Sequence, residues 1–214
     1  MHTAKKPIAT SFSNRSVALW LFLFYSVLLW SAINPKEYLT WFLEVFPALL
    51  GFMILLFTYK RFPLTPLTYI LILLHSIILM IGGHYTYAHV PFFDSLAEIF
   101  DWSRNNYDKV GHLAQGFIPA IIARELLLRK TPLTSDIWLH FIIISICLAL
   151  SALYEILEWI VAIIIGQDAE AFLGTQGYIW DTQSDMGFAF LGASLALLSL
   201  SRIHNKQLKE FYGM

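Results

Sequence analysis

An all-α, polytopic membrane bundle of six transmembrane helices, with a short interfacial helix on its outer side, is the architecture expected of this chain. Hydrophobic residues make up 57% of it and charged residues only 14%, a balance outside the usual range of a soluble domain. Six stretches approach the roughly 20 apolar residues that a spanning helix needs. None of them shows the strict alternation of a half-buried strand.

The first span, about 17–33, follows Lys5, Lys6 and Arg15 and so imitates a signal peptide. No small-residue cleavage site follows it, and further spans do, which predicts a retained helix. Asn34-Pro35 separates it from the second span, about 39–57, and Pro63 with Pro66 opens the third, about 66–82. Between Pro91 and Trp102, Phe92, Leu96, Ile99 and Phe100 share one stripe while Asp94, Glu98 and Asp101 lie elsewhere. That pattern predicts the helix lying on the membrane surface. The fourth span, about 112–128, stops before Thr131-Pro132; the fifth, about 138–165, stops at Gly166; the sixth is about 186–203. With no internal repeat and no low-complexity segment, residues 1–214 read as a single integral membrane domain. Cys147 is the only cysteine and lies within a span, so it reads as a packing residue.

Orientation follows from the Lys/Arg distribution in the short connections. The two tails, the connection at Lys60-Arg61 and the one near Arg124, Arg129 and Lys130 hold eleven of the fourteen basic residues. The alternate loops hold only Lys36, Arg104 and Lys109. Both termini are therefore expected in the cytoplasm, and the polar connections 83–111 and 166–185 outside. No basic run points to nucleic acid.

This topology brings the polar residues of four helices to one level. His84 ends the third span; Asp108 and His112 open the fourth; Glu155 and Glu158 interrupt the fifth; Asp181 and Asp185 open the sixth. At about 100° per residue, Asp108, His112 and Gln115 share one helix face, as do Glu155 with Glu158 and Asp181 with Asp185. Ionisable groups in a span are costly and turn toward a bundle interior. His75 is expected on the face opposite His84, hydrogen-bonded within the bundle. Glu44 either snorkels or joins the cluster, and Glu125 and His140 read as interfacial.

Two imidazoles and several carboxylates on converging helices suit a divalent ion such as Zn or Mn, which takes mixed nitrogen and oxygen ligands. The candidate ligands are His84, His112, Asp108, Asp181 and Asp185. Glu155 and Glu158 are candidate bases on a bound water, with Lys109 beside them. Tyr85, Gln115 and Gln176 are candidate substrate contacts. Against this stands a capping role, because Asp108, Asp181 and Asp185 lie at helix starts. Capping does not account for Glu155 and Glu158, which are interior and one turn apart. Gly174-Thr175-Gln176-Gly177 reads as a plain loop or as a turn exposing N–H groups to an anion.

The blocks GGHYTYAHVP (82–91), NNYDKVGHLAQGF (105–117), YEILEW (154–159) and LGTQGYIWDTQSDM (173–186) resemble the YjdF-like proteins, a domain-of-unknown-function family of bacterial inner-membrane proteins. The resemblance implies an inner-membrane, multi-pass protein. More remotely, Asp108-Lys109 with His112, Glu155, Asp181 and Gly192 is similar to the pattern of VanZ-like proteins, a group associated with resistance to glycopeptide antibiotics. Asp185 stands where that pattern has an amide, and Phe188 where it has a glycine.

Three functions are compatible with these residues. One is a metal-assisted hydrolase or transferase acting on a lipid-linked substrate from the outer leaflet. The second is a proton- or cation-coupled transport protein, and the third a non-catalytic bundle locked by its polar cluster.

Overall fold

The computed structural model describes residues 12–165 and 176–213. Its described residues form seven helices and no strand: α1 (Asn14–Ala32), α2 (Tyr38–Thr58), α3 (Pro66–Tyr85), α4 (Pro91–Phe100), α5 (Tyr107–Lys130), α6 (Ile137–Ile165) and α7 (Asp181–Tyr212). Five of them, α1, α2, α3, α6 and α7, are long and apolar enough to cross a membrane. The expected turn at Gly174-Thr175 lies outside the described residues.

Local chemistry starts and stops these helices. Ser13 caps α1 by accepting from the Ser16 N–H at 3.1 Å. Thr65 caps α3 with Pro66 behind it, where a missing N–H costs nothing. Asp136 accepts the Leu139 N–H at 3.1 Å at the start of α6. At the far end of α7, Gly213 takes φ 65° and closes the helix by donating its N–H to the Lys209 carbonyl.

α5 is the hub, packed against α3, α6 and α7, while α1 and α2 pack on α3. Its tightest approach is to α7, where a Cβ on Gly116 would overlap the Ala189 carbonyl and one on Gly192 would overlap that of Leu113. Small residues let backbones meet in this way where lipid offers no hydrophobic drive to association. Ala189, Ala193 and Ala196 are fully buried in the same seam. Cys147 is buried beside it, its thiol 3.6 Å from the Gly116 carbonyl, as a packing residue.

The seam has a polar cluster at each end. At the end away from the candidate ligands, Glu125 is completely buried rather than interfacial. Its carboxylate accepts from the Thr65 N–H (3.0 Å), the hydroxyls of Thr65 (2.9 Å) and Thr68 (2.7 Å), and Arg129 Nη1 (2.7 Å), and it faces His204 Nε2 at 3.3 Å. His140 remains partly exposed.

Candidate functional site

The other cluster begins with a spacing on α5. Asp108 and His112 lie four apart on one face of the helix, and Arg104, in the bend just before it, reaches Asp108. Opposite them, Asp181 and Asp185 share a face of α7 at the same interval. Arg104 and Lys109 join the two helices. Arg104 donates to Asp181 at 2.5 Å and to Asp108 at 3.3 Å. Lys109 Nζ donates to Asp185 at 2.8 Å, to Asp181 at 3.2 Å and to the Ser184 hydroxyl at 2.5 Å.

These contacts replace the capping role. Asn106 and Trp180 occupy the N-cap positions of α5 and α7, and neither makes a side-chain cap bond. Asp108, Asp181 and Asp185 are buried, and their carboxylates turn to cations and to His112.

His112 sits at the centre of the group. Its Nδ1 is 2.9 Å from Gln115 Oε1, an acceptor that holds the Nδ1–H and leaves Nε2 toward the carboxylates. Nε2 lies 3.2 Å from Asp108 Oδ1 and 3.8 Å from Asp185 Oδ2. One ligand atom from each of Asp108, His112 and Asp185 lies within 4.8 Å of the other two. Ligands held tetrahedrally near 2 Å from zinc are about 3.3 Å apart, so the three groups would have to draw closer to share an ion. Glu155 Oε1 is 3.9 Å from His112 Nδ1, buried and without a hydrogen-bond partner among the described residues.

A cavity of about 90 Å³ adjoins this group, lined by Glu44, His75, Tyr154 and Glu158 together with Asp108 and His112. Tyr154 donates its hydroxyl to Glu44 at 3.2 Å. Glu44 is therefore buried beside the site instead of snorkelling.

Four expected site residues lie elsewhere or act differently. His84 is held by α1: its Nδ1 is 2.9 Å from the Ser31 carbonyl, and its ring packs on Trp30 at 4.6 Å. Tyr85 packs edge-on against His84 at 4.5 Å and stays with it. The two histidines of α3 do face apart, but His75 is the one that reaches the cavity, where it makes no hydrogen bond to a described residue. Gln176 pairs with the backbone of Asn105, accepting its N–H and donating to its carbonyl, both at 3.0 Å; it fastens the chain before α7 onto the start of α5. Gln115 orients His112. Arg104 was legible only as a loop cation, because it lies in the bend before α5 where helical spacing gives no direction.

A family described as predicted membrane protein (DUF2238) matches residues 16–206. The chain is 48% identical over 185 residues to the inner membrane protein YjdF of Escherichia coli (strain K12), covering 86% of this chain and 88% of that protein. No solved structure matches it. The apolar helices and these matches agree, and the chain belongs to the DUF2238 family of membrane proteins.

Proposed function

We propose that this protein is a membrane-embedded, metal-assisted hydrolase or transferase acting on a lipid-linked substrate. Asp108, His112 and Asp185 would hold a divalent ion, Zn or Mn, and Glu155 would take the proton from a water bound beside it. Lys109 would offset negative charge developing on the reacting group. The observation that carries this reading is the three ligand atoms within 4.8 Å of one another, beside the unpartnered Glu155 oxygen. Charge points the same way: six carboxylates, Glu44, Asp108, Glu155, Glu158, Asp181 and Asp185, gather around two basic side chains, Arg104 and Lys109. His84 has no place among the ligands in this proposal.

The proposal includes the membrane arrangement. α5 would be the sixth transmembrane helix, a reading supported by its length and by the shielding of its polar residues by α3, α6 and α7. The Lys/Arg asymmetry puts both termini in the cytoplasm and the site at the outer face of the inner membrane. α4 would lie on the outer surface, a reading supported by the exposure of Phe92, Ile99 and Phe100.

Metal analysis of protein loaded with Zn²⁺ or Mn²⁺ and desalted tests the centre. The expected content is about one ion per chain, lost in His112→Ala. No retained ion in the parent protein would overturn the metal reading.

The cavity lined by Glu44 and Glu158 supports a second reading, coupled proton or cation transport. Proteoliposomes decide between the two. A proton or cation flux that survives chelation and vanishes in Glu158→Gln would favour transport.

A further inference from the structure

Arg104 and Lys109 form a wall with two sides. One faces the carboxylates of α5 and α7. The other faces an open chamber of about 660 Å³ whose lining includes Asp101, Trp102, Arg104, Lys109, Tyr178 and Phe188. This volume is within the usual range for a small-ligand pocket, about 300–1,000 Å³. Lys109 Nζ stands 5.1 Å from the Tyr178 ring centre and 6.0 Å from that of Phe188, and the Arg104 guanidinium carbon is 5.4 Å from the Tyr178 ring. Cations at the base and aromatic rings on the walls suit an anionic group carried on an apolar body.

The neighbourhood narrows the choice of body. Phe100, Trp102, Ile179 and Trp180 are exposed beside the chamber, Ile179 at 83%. Exposed apolar and aromatic side chains in a membrane protein mark a surface at headgroup level, where Trp and Tyr settle with one end dry and the other wet. The chamber is thus flanked by exposed aromatic and apolar side chains of the kind that settle at a membrane surface.

We infer that this chamber seats the phosphate headgroup of a membrane lipid, and that its occupancy is coupled through Arg104 and Lys109 to that of the ion site at Asp108, His112 and Asp185. The inference rests on the metal reading and names the substrate class for it. Arg104 and Lys109 neutralise Asp108 and Asp185, the carboxylates that would ligate the ion. A divalent ion supplies that charge instead; the two side chains keep their pairing with Asp181, and the donors that had served Asp108 and Asp185 can turn to phosphate oxygens. Coupling is reciprocal, so the phosphate lipid tightens the ion as the ion tightens the lipid.

The experiment measures Mn²⁺ affinity of the full-length protein in nanodiscs, by the electron paramagnetic resonance signal of free Mn²⁺. Three conditions are compared: phosphatidylcholine alone, phosphatidylcholine with phosphatidylglycerol, and phosphatidylcholine with inorganic phosphate. Phosphatidylglycerol is expected to tighten Mn²⁺ by about 5-fold or more, the lower range of measured couplings, and Lys109→Gln to abolish the effect. Because Lys109 also ties α5 to α7, Tyr178→Ala provides a variant outside the ion pairs; it too should lose the phosphatidylglycerol effect. Equal Mn²⁺ affinity with and without phosphatidylglycerol overturns the inference and leaves the metal reading standing. An unchanged effect in Tyr178→Ala assigns it to surface charge of the bilayer and overturns the inference as well. Full reproduction of the effect by inorganic phosphate overturns the assignment to a lipid. Absence of Mn²⁺ binding in every condition overturns the metal reading, and the inference with it.

Discussion

Removing the Glu125 carboxylate should destabilise the protein more than any single change at its surface. Five donors converge on it: the Thr65 N–H, two threonine hydroxyls, Arg129 and His204. Glu125→Ala leaves all of them buried, and Arg129 without its carboxylate. Polar contacts between membrane helices average about 0.6 kcal/mol, so the four that reach Glu125 from outside α5 sum to about 2.4 kcal/mol. Breaking one side of a buried ion pair, here with Arg129, costs about 3–5 kcal/mol by a separate line of measurement. Both routes point to a loss of about 2–3 kcal/mol or more, and Glu125→Gln, which keeps an acceptor in place, should lose less. Unfolding of purified protein by SDS in mixed micelles, followed by tryptophan fluorescence, reads the difference. A Glu125→Ala variant within about 0.5 kcal/mol of the parent, the scale of surface substitutions, would refute the reasoning. It would mean that the cluster opens to water and re-solvates at no cost.

Gly192→Leu should destabilise by at least about 1–3 kcal/mol, the usual cost of overpacking, because the side chain has the Leu113 carbonyl in its way; an unchanged melting temperature in detergent would contradict the contact. Gln115→Leu removes the acceptor at His112 Nδ1 and should weaken Zn²⁺ or Mn²⁺ by about 10–100-fold, measured by competition with a chelator; unaltered affinity would deny Gln115 its orienting role. Reporter fusions after Met214 and within 83–111 should report cytoplasm and exterior respectively, and an external C-terminus would remove the basis for placing the site at the outer face.

Helices and their polar faces were legible in the sequence because both depend on local spacing. Asp108, His112 and Gln115 were expected on one face, and the structure brings them together. Choosing between faces of different helices was harder. His75 and His84 were expected to point apart, yet nothing local says which of them looks toward α5, because that neighbour is set by packing between helices distant in the chain. Arg104 was read as one loop charge among three, since a Lys/Arg count treats basic residues as marks of topology and ignores their partners. Glu125 was assigned to the interface from its distance to the end of an apolar run. That distance gives depth along the bilayer normal, whereas Thr65, Arg129 and His204 decide its lateral surroundings.

The polarity of α5 follows from its position. Twelve of its residues are buried, among them Asp108, His112, Arg124, Glu125 and Arg129, whereas α1 buries three. A helix on the bundle perimeter must be apolar over most of its circumference, because lipid offers its polar groups no partner. α5 is enclosed by α3, α6 and α7, so its charges meet protein donors and acceptors at both ends and small or aliphatic residues between them. Gly116, Ile118, Ala120 and Ile121 fill that middle stretch, and the close seam with Ala189, Gly192 and Ala193 leaves little room there for water. An apolar layer of this kind separates the two polar clusters, which argues for chemistry confined to one end over passage from one end to the other. Asp108 and His112 are therefore tolerated in α5 because the same close packing that excludes lipid also sets them against α7.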